Sequence, residues 1–286
     1  MQLSIIIINY NTFQLTCNCL RSIREKLTGM TYEVVLVDNA SKECDPAEFK
    51  KLFPEIILVA SPENLGFTGG NNLGIEYASG EYLLLLNSDT ELINNAPKMT
   101  YDYLLAHPDT GMVTCQLLYP DGRVQYNCRR FRTIGWELLE VFPFYKLLPK
   151  EKREPLMLHH YFDHQRALDV DWVWGAYMMF HRSILPKLPK GKLSDDFFMY
   201  CEDTLWCWEF HQLGYKIHFM PEAKVMHVHK GSVKTKEQLL KVRTTSIENH
   251  AILMKKYYPD IRWYFWAAIY YTKQYGALTW FRLRNR

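Results

Sequence analysis

"EYLLLLNSDTEL", residues 81–92, is a run of four leucines that stops abruptly in a polar cluster containing Asp89 and Glu91. A short continuous apolar run bounded by polar residues is the pattern of a strand buried on both faces, as in parallel sheets. The carboxyl end of such a strand lies at the edge where these sheets bind ligands. The residues on either side repeat the pattern. "LSIIIINYN" (3–11), "YEVVLVDNAS" (32–41) and "IILVAS" (56–61) are further strand-like runs. Between them Leu20, Ile23 and Leu27 recur at helical spacing, a short helix is expected near Pro46 to Phe53, and another from about Gly69 to Ala78. Repeated β–α units predict an α/β fold whose central sheet is mostly parallel, with right-handed crossovers and flanking helices. In that architecture the tips at 9–11, 38–41 and 87–90 meet on one edge.

Beyond a predicted helix at 96–106 and a strand near 111–120, the pattern becomes irregular. Residues 143–166 mix prolines and charges without a period and are expected to form a lid-like loop. "VDWVWGAYMMFHR" (170–182) is strand-like, residues 195–215 are expected to form a loop and then a helix ending near Gly214, and 216–229 a strand pair broken at Pro221.

Composition narrows the function class. The 286 residues are 48% hydrophobic and 23% charged with a net charge of +3, too small by itself to suggest a nucleic-acid partner. Seven cysteines without paired C-x-x-C spacing argue against a disulfide framework or a structural zinc site and point to a reducing cytoplasm. Met1 runs straight into "LSIIII", which is expected to be a strand and not a signal peptide, so the mature chain is expected to begin there. The stretch from Ile261 is dense in aromatic residues and carries Arg282, Arg284 and Arg286. Charged and polar interruptions stop it short of the ~18 apolar residues a membrane span needs. It suits either a helix lying on an anionic membrane surface or a terminal helix packed on the protein.

Several residues could carry chemistry, each with a plainer alternative. Asp89, at a strand end, could hold Mg2+ or Mn2+ against substrate phosphates, or simply cap the next helix. "NLGFTGGNNLG" (64–74) offers glycines for close backbone approach to a ligand, without the spacing of an ATP-type phosphate loop. Glu202 and Asp203 begin a helix among aromatic residues. Acids at a first turn favour the helix dipole, while partial burial would raise their pKa toward that of a general base. His227 and His229 have metal-ligand spacing that is also common in structural histidines.

Taken in order, "SIIIINYN", "VVLVDNAS", "NLGFTGGNNLGI", "LLLLNSDT", "GAYMMFHR", "FFMYCEDT" and "PEAKVMHVHKGS" resemble the family-2 glycosyltransferases of GT-A fold, particularly the bacterial rhamnosyltransferase-like branch. The resemblance spans roughly Leu3 to Ser232. It implies that Asn9, Asn11, Asp38 and Ser41 contact the base and ribose of a nucleotide sugar, and that Gly66, Phe67, Gly70 and Asn71 line the diphosphate pocket. "NSD" matches the family's degenerate D-x-D motif, with Asn87 at its first position and Asp89 as metal ligand. His227 is implied as a further ligand, with His229 in reserve, Asp203 as catalytic base and Glu202 as its acidic neighbour. Trp172, Trp174 and Gly175 are candidates for the acceptor wall. Many relatives continue the base motif as E-D-x-D-L-x-x-R, whereas Leu205 and Glu209 stand here in place of the second Asp and the Arg.

The resulting expectation is a GT-A domain over 1–235, with a nucleotide-sugar half to about 118 and an acceptor half after it. A C-terminal aromatic helical segment over 236–286 follows and contacts the membrane. The expected activity is inverting, metal-dependent sugar transfer. The donor is a dTDP- or UDP-linked sugar such as rhamnose, and the acceptor a saccharide or polyprenyl-linked saccharide, in surface polysaccharide synthesis at the inner face of a bacterial membrane. The competing expectation is a catalytically inactive nucleotide-sugar or glycan binding module recruited to a membrane enzyme complex.

Overall fold

The computed structural model describes residues 1–228 and 235–284, with the side chains of all of these except 236 and 280–284. In chain order the elements are β1 (Leu3–Asn9), α1 (Phe13–Lys26), β2 (Tyr32–Asn39), α2 (Ala47–Leu52), β3 (Ile57–Ser61), α3 (Gly66–Glu76), β4 (Tyr82–Asn87), β5 (Thr90–Leu92), α4 (Ala96–Ala106) and β6 (Thr110–Leu118). They continue with β7 (Cys128–Arg129), α5 (Ile134–Val141), α6 (Lys150–Met157), β8 (Leu168–Val170), β9 (Trp172–Val173), β10 (Tyr177–His181), α7 (Glu202–Gln212), β11 (Lys216–His227), α8 (Lys236–Tyr257) and α9 (Arg262–Arg284).

The chain forms two compact units, one of Met1–Arg129 with Asp163–Val233 and the other of Arg130–Phe162 with Lys234–Arg286. The first holds the main sheet, in the order β3-β2-β1-β4-β10-β6-β11-β5, with β8 paired to β11. Strands β3, β2, β1 and β4 are parallel, and β11 is parallel to β6. The other pairings, β10 with β4 and β6 and β11 with β5 and β8, are antiparallel. The leucine run is buried on both faces. Leu84 and Leu86 join Leu20 and Ile23 of α1 and Leu104 of α4 in one core cluster, while Leu83 and Leu85, equally buried, alternate to the other side.

Three expectations are corrected. Residues 143–166 are not one irregular loop: they contain α6 and short 3-10 turns at Phe144–Leu147 and His159–Tyr161. Residues 216–227 form one strand, not a broken pair. Pro221 is accommodated because the register against β6 slips between Met220 and Lys224, freeing it from the hydrogen-bond ladder. Helix α3 starts at Gly66 and not near Gly69, so Gly66 and Phe67 are part of it.

The second unit consists of α5, α6, α8 and α9. Trp266 and Tyr270 of α9 pack with Ile247, Ala251 and Met254 of α8. No described helix is long and apolar enough to cross a membrane.

Candidate active site

The carboxyl ends of β1, β2 and β4 meet through side chains. Asn9 Nδ2 donates to Asp38 Oδ1 at 2.8 Å and to Ser41 Oγ at 2.9 Å, and the backbone N–H groups of Ser41 and Asn11 donate to Asp38 Oδ2 and Ser41 Oγ. Asn9 and Asp38 are buried, and Asn11 is exposed in the left-handed region at φ 54°. The Thr12 and Ser88 hydroxyls lie 3.1 Å apart and tie this cluster to the turn after the leucine strand.

That turn carries Asp89. Antiparallel pairing of β5 with β11 sets Thr90 opposite His227, and Val228 N donates to the Asp89 carbonyl, so the two side chains face each other with His227 Nε2 3.3 Å from Asp89 Oδ1. Gln125, fully buried, orients the imidazole. Its Nε2 donates to the His227 carbonyl at 2.6 Å, which leaves its Oε1 as the atom facing His227 Nδ1 at 2.7 Å. An amide oxygen only accepts, so Nδ1 carries a proton and Nε2 is the nitrogen turned to the carboxylate. When Nε2 carries no proton, its lone pair and the Asp89 carboxylate are two donors turned to the same side. Such an N,O pair fits a divalent cation whose other positions go to water and phosphate oxygens. Among the described residues no third His, Cys, Asp or Glu completes the set. His229, the reserve ligand, lies outside the described residues.

Asn87 N donates to the Ala176 carbonyl, which joins the end of the leucine strand to the segment containing Gly175. Gly175 N donates to Asp203 Oδ2 at 3.3 Å, and Thr204 N and Oγ1 donate to Oδ1. A Cβ at Gly175 would lie 2.9 Å from the Phe67 ring, so the absence of a side chain lets Phe67 and Asp203 approach the same backbone. Phe67 stacks on Trp206 of α7, with centroids 5.9 Å apart. Gly66 is constrained differently. It sits at φ 72°, and a Cβ there would meet the Phe198 carbonyl oxygen at 2.4 Å. Gly70 serves packing, since Ile8 of β1 occupies the space of its missing side chain, and the Asn71 amide donates to the Phe67 carbonyl.

The carboxylate pair stands on a strained entrance to α7, where Tyr200 and Cys201 both have positive φ, 71° and 75°. Glu202 is buried with Oε2 lacking a hydrogen-bond partner. Burial, then the neighbouring Asp203, push its pKa up to about 8. Burial also raises Asp203, opposed by the Thr204 and Gly175 hydrogen bonds and by the charge of Arg129. The Arg129 guanidinium lies over both Trp172 and Trp174, at 5.6 and 5.5 Å, because β7 pairs Arg129 directly with Trp172 on β9. The departures from the relatives' base motif are absorbed structurally: Leu205 is core, and buried Glu209 accepts a 2.5 Å hydrogen bond from Ser194.

Sequence reasoning missed Gln125 and Arg129. Both fall in an aperiodic stretch, and no local pattern marks a residue whose partners lie 102 and 43 positions away, at His227 and Trp172.

The family described as Glycosyl transferase family 2 matches residues 4–188. An uncharacterized glycosyltransferase of Bacillus subtilis is 29% identical over 193 residues, 62% of this chain and 67% of that protein. The low-salt glycan biosynthesis hexosyltransferase of Haloferax volcanii is 28% identical over 222 residues, 72% of this chain and 60% of that protein. Among solved structures, the mannosyltransferase of Pyrobaculum calidifontis in complex with GDP-Man and Mn2+ superimposes with a TM-score of 0.61 at 18% identity, covering 91% of this chain and 64% of that one. At that identity the likeness concerns the fold. The chain thus spans about two thirds or less of the length of these relatives.

Proposed function

Because this chain belongs to glycosyl transferase family 2, we propose that it transfers a sugar from a nucleoside-diphosphate donor to a saccharide or polyprenyl-linked saccharide in surface glycan synthesis, with inversion at the anomeric carbon. The observation that carries this reading is the Asn87–Ala176 backbone bond. It joins the Asp89 turn to the segment whose Gly175 N–H holds Asp203. One strand end thus brings a candidate metal ligand and a candidate base to a common edge.

Asn9, Asn11, Asp38 and Ser41 form the wall for base and ribose, and the start of α3 at Gly66 and Phe67 with Asn87 flanks the diphosphate. Asp89 and His227 would hold Mg2+ or Mn2+, whose charge when bound offsets that of the leaving diphosphate. The GDP-Man and Mn2+ of the Pyrobaculum enzyme support a nucleotide sugar and a divalent ion as the ligand classes. Asp203 accepts the proton of an acceptor hydroxyl. The oxygen of that hydroxyl forms the new bond to the anomeric carbon as the bond to the diphosphate breaks and the nucleoside diphosphate departs. Burial and the neighbouring Asp203 push Glu202 up to about 8, whereas Asp203, also raised by burial, takes hydrogen bonds from Thr204 and Gly175 and lies near the charge of Arg129, so Asp203 is the acid we assign to this step. Trp172 and Trp174 offer flat apolar faces for the acceptor ring. A dTDP-linked deoxyhexose such as rhamnose is the first donor to test, with UDP-linked hexoses next. The aromatic C-terminal helix makes peripheral contact with the inner face of the membrane.

Asp203→Asn tests the reading. A general base contributes about 10²–10⁴-fold, so the variant is expected to lose that much turnover while binding nucleoside diphosphate as the parent does. Unchanged turnover would remove Asp203 from the role.

A further inference from the structure

Helix α5 packs Ile134 against the α8–α9 core but over the rest of its length departs from the pattern of a surface helix bathed in water. Its fully buried residue is the carboxylate Glu137, which pairs with Arg132 at 2.7 Å and with Lys273 of α9, whereas Leu138 and Val141 are exposed. Surface helices ordinarily bury the apolar stripe and expose the charges. The departure continues into the turn that follows. Phe142, Phe144 and Leu147 are 53%, 67% and 84% exposed, and the two phenylalanine rings lie stacked 6.3 Å apart.

This turn is ordered. Tyr145 is buried beneath it and donates its hydroxyl to Tyr161 at 3.2 Å, and backbone bonds from Phe142 to Leu138, Lys146 to Pro143 and Leu148 to Tyr145 close it. With Tyr145 turned inward, Phe144 and Lys146 beside it and Phe142 and Leu147 further out are exposed. Basic residues accompany them: Lys146 lies within the turn, and in the first turn of α6 Lys152 and Arg153 outnumber Glu151, while Lys150 pairs with Glu154.

We propose that the Leu138–Leu147 segment is a membrane-seating element of the second unit. Phe142, Phe144 and Leu147 enter the headgroup boundary of an anionic lipid surface, and Lys146, Lys152 and Arg153 meet its phosphates. The chemistry selects lipid. Apolar side chains held outward on a rigid turn gain from leaving water, and the adjoining cations match a negatively charged surface. A nucleic acid would use the lysines and have no partner for Leu147. A second copy of the chain would bring the same basic residues against each other. This contact is separate from the C-terminal helix, and it does not depend on the assignment of the catalytic residues.

The test is flotation of the full chain with vesicles of equal parts phosphatidylcholine and phosphatidylglycerol, and with phosphatidylcholine alone, at low and high salt. Phe144→Ser with Leu147→Ser alters only exposed side chains, and circular dichroism verifies that this variant folds. The parent is expected to float with the anionic vesicles, less so at high salt. The double variant is expected to bind more weakly by on the order of ten-fold or more. Lys146→Gln with Lys152→Gln is expected to remove most of the salt dependence while keeping weak binding. Equal flotation of parent and double variant would move the contact elsewhere and overturn the proposal. So would failure of the parent to bind any vesicle, or a parent dimer that the double variant converts to monomer.

Discussion

Glu202 and Asp203 sit side by side in a site that disfavours two charges, and the consequences can be measured without any substrate. Glu202 titrates near 4.5 when unfolded and is held at about 8 in the fold. Between these values the native chain binds more protons than the unfolded chain. Stability therefore falls as pH rises through that window and levels off above it. Glu202→Gln is expected to flatten this slope and, at the alkaline end, to gain on the order of a few kcal/mol relative to the parent. Urea unfolding at a series of pH values checks this, and a parent whose stability does not fall across the window would contradict it. Arg129 acts on the other acid, because its charge restrains the rise that burial imposes on Asp203. Arg129→Met is expected to raise Asp203 further and shift the acidic limb of the rate profile to higher pH. A limb that stays in place would mean that Arg129 does not set the charge state of Asp203.

Among the elements, β11 links fold to chemistry: its last residue, His227, reaches Asp89 only because β5 pairs with it, and Gln125 fixes the imbalance between the two imidazole nitrogens. Gln125→Leu preserves volume but removes both contacts to His227. Loss of such an orienting partner typically costs 10–100-fold in metal affinity. Calorimetric Mn2+ binding is therefore expected to weaken by about that factor with little change in the far-ultraviolet spectrum. The parallel half of the sheet was legible because β1, β2, β3 and β4 each read as a nearly unbroken apolar run, and burial on both faces demands that pattern. The start of α3 was placed too late, since glycines at 66, 69 and 70 argue locally against a helix that packing against β1 and β2 sustains. Proline at 221 argued for a break that a slip in register avoids. Of the candidate site, Asp89 and the pairs Glu202–Asp203 and His227–His229 stood out at expected element ends, and the family resemblance singled out Asp203 and His227. Gln125 and Arg129 did not, because their roles arise only from long-range pairing.

At the scale of the whole molecule, the chain belongs to glycosyl transferase family 2, and Asp38, Asp89 and Asp203, the acids of the proposed nucleotide-sugar site, all lie in one unit. The segment at 130–162 groups with the C-terminal helices in a second unit, whose helix α5 and basic turn suit a lipid surface. The proposed activity rests above all on metal-linked donor binding. The decisive measurement is calorimetric titration of the full chain with UDP, GDP and dTDP, with and without Mn2+, for the parent and for Asp89→Ala. One nucleoside diphosphate is expected to bind tightly only when Mn2+ is present, and that binding is expected to vanish in Asp89→Ala. Binding of none of them, or binding equally strong without the metal and in the variant, would contradict the account.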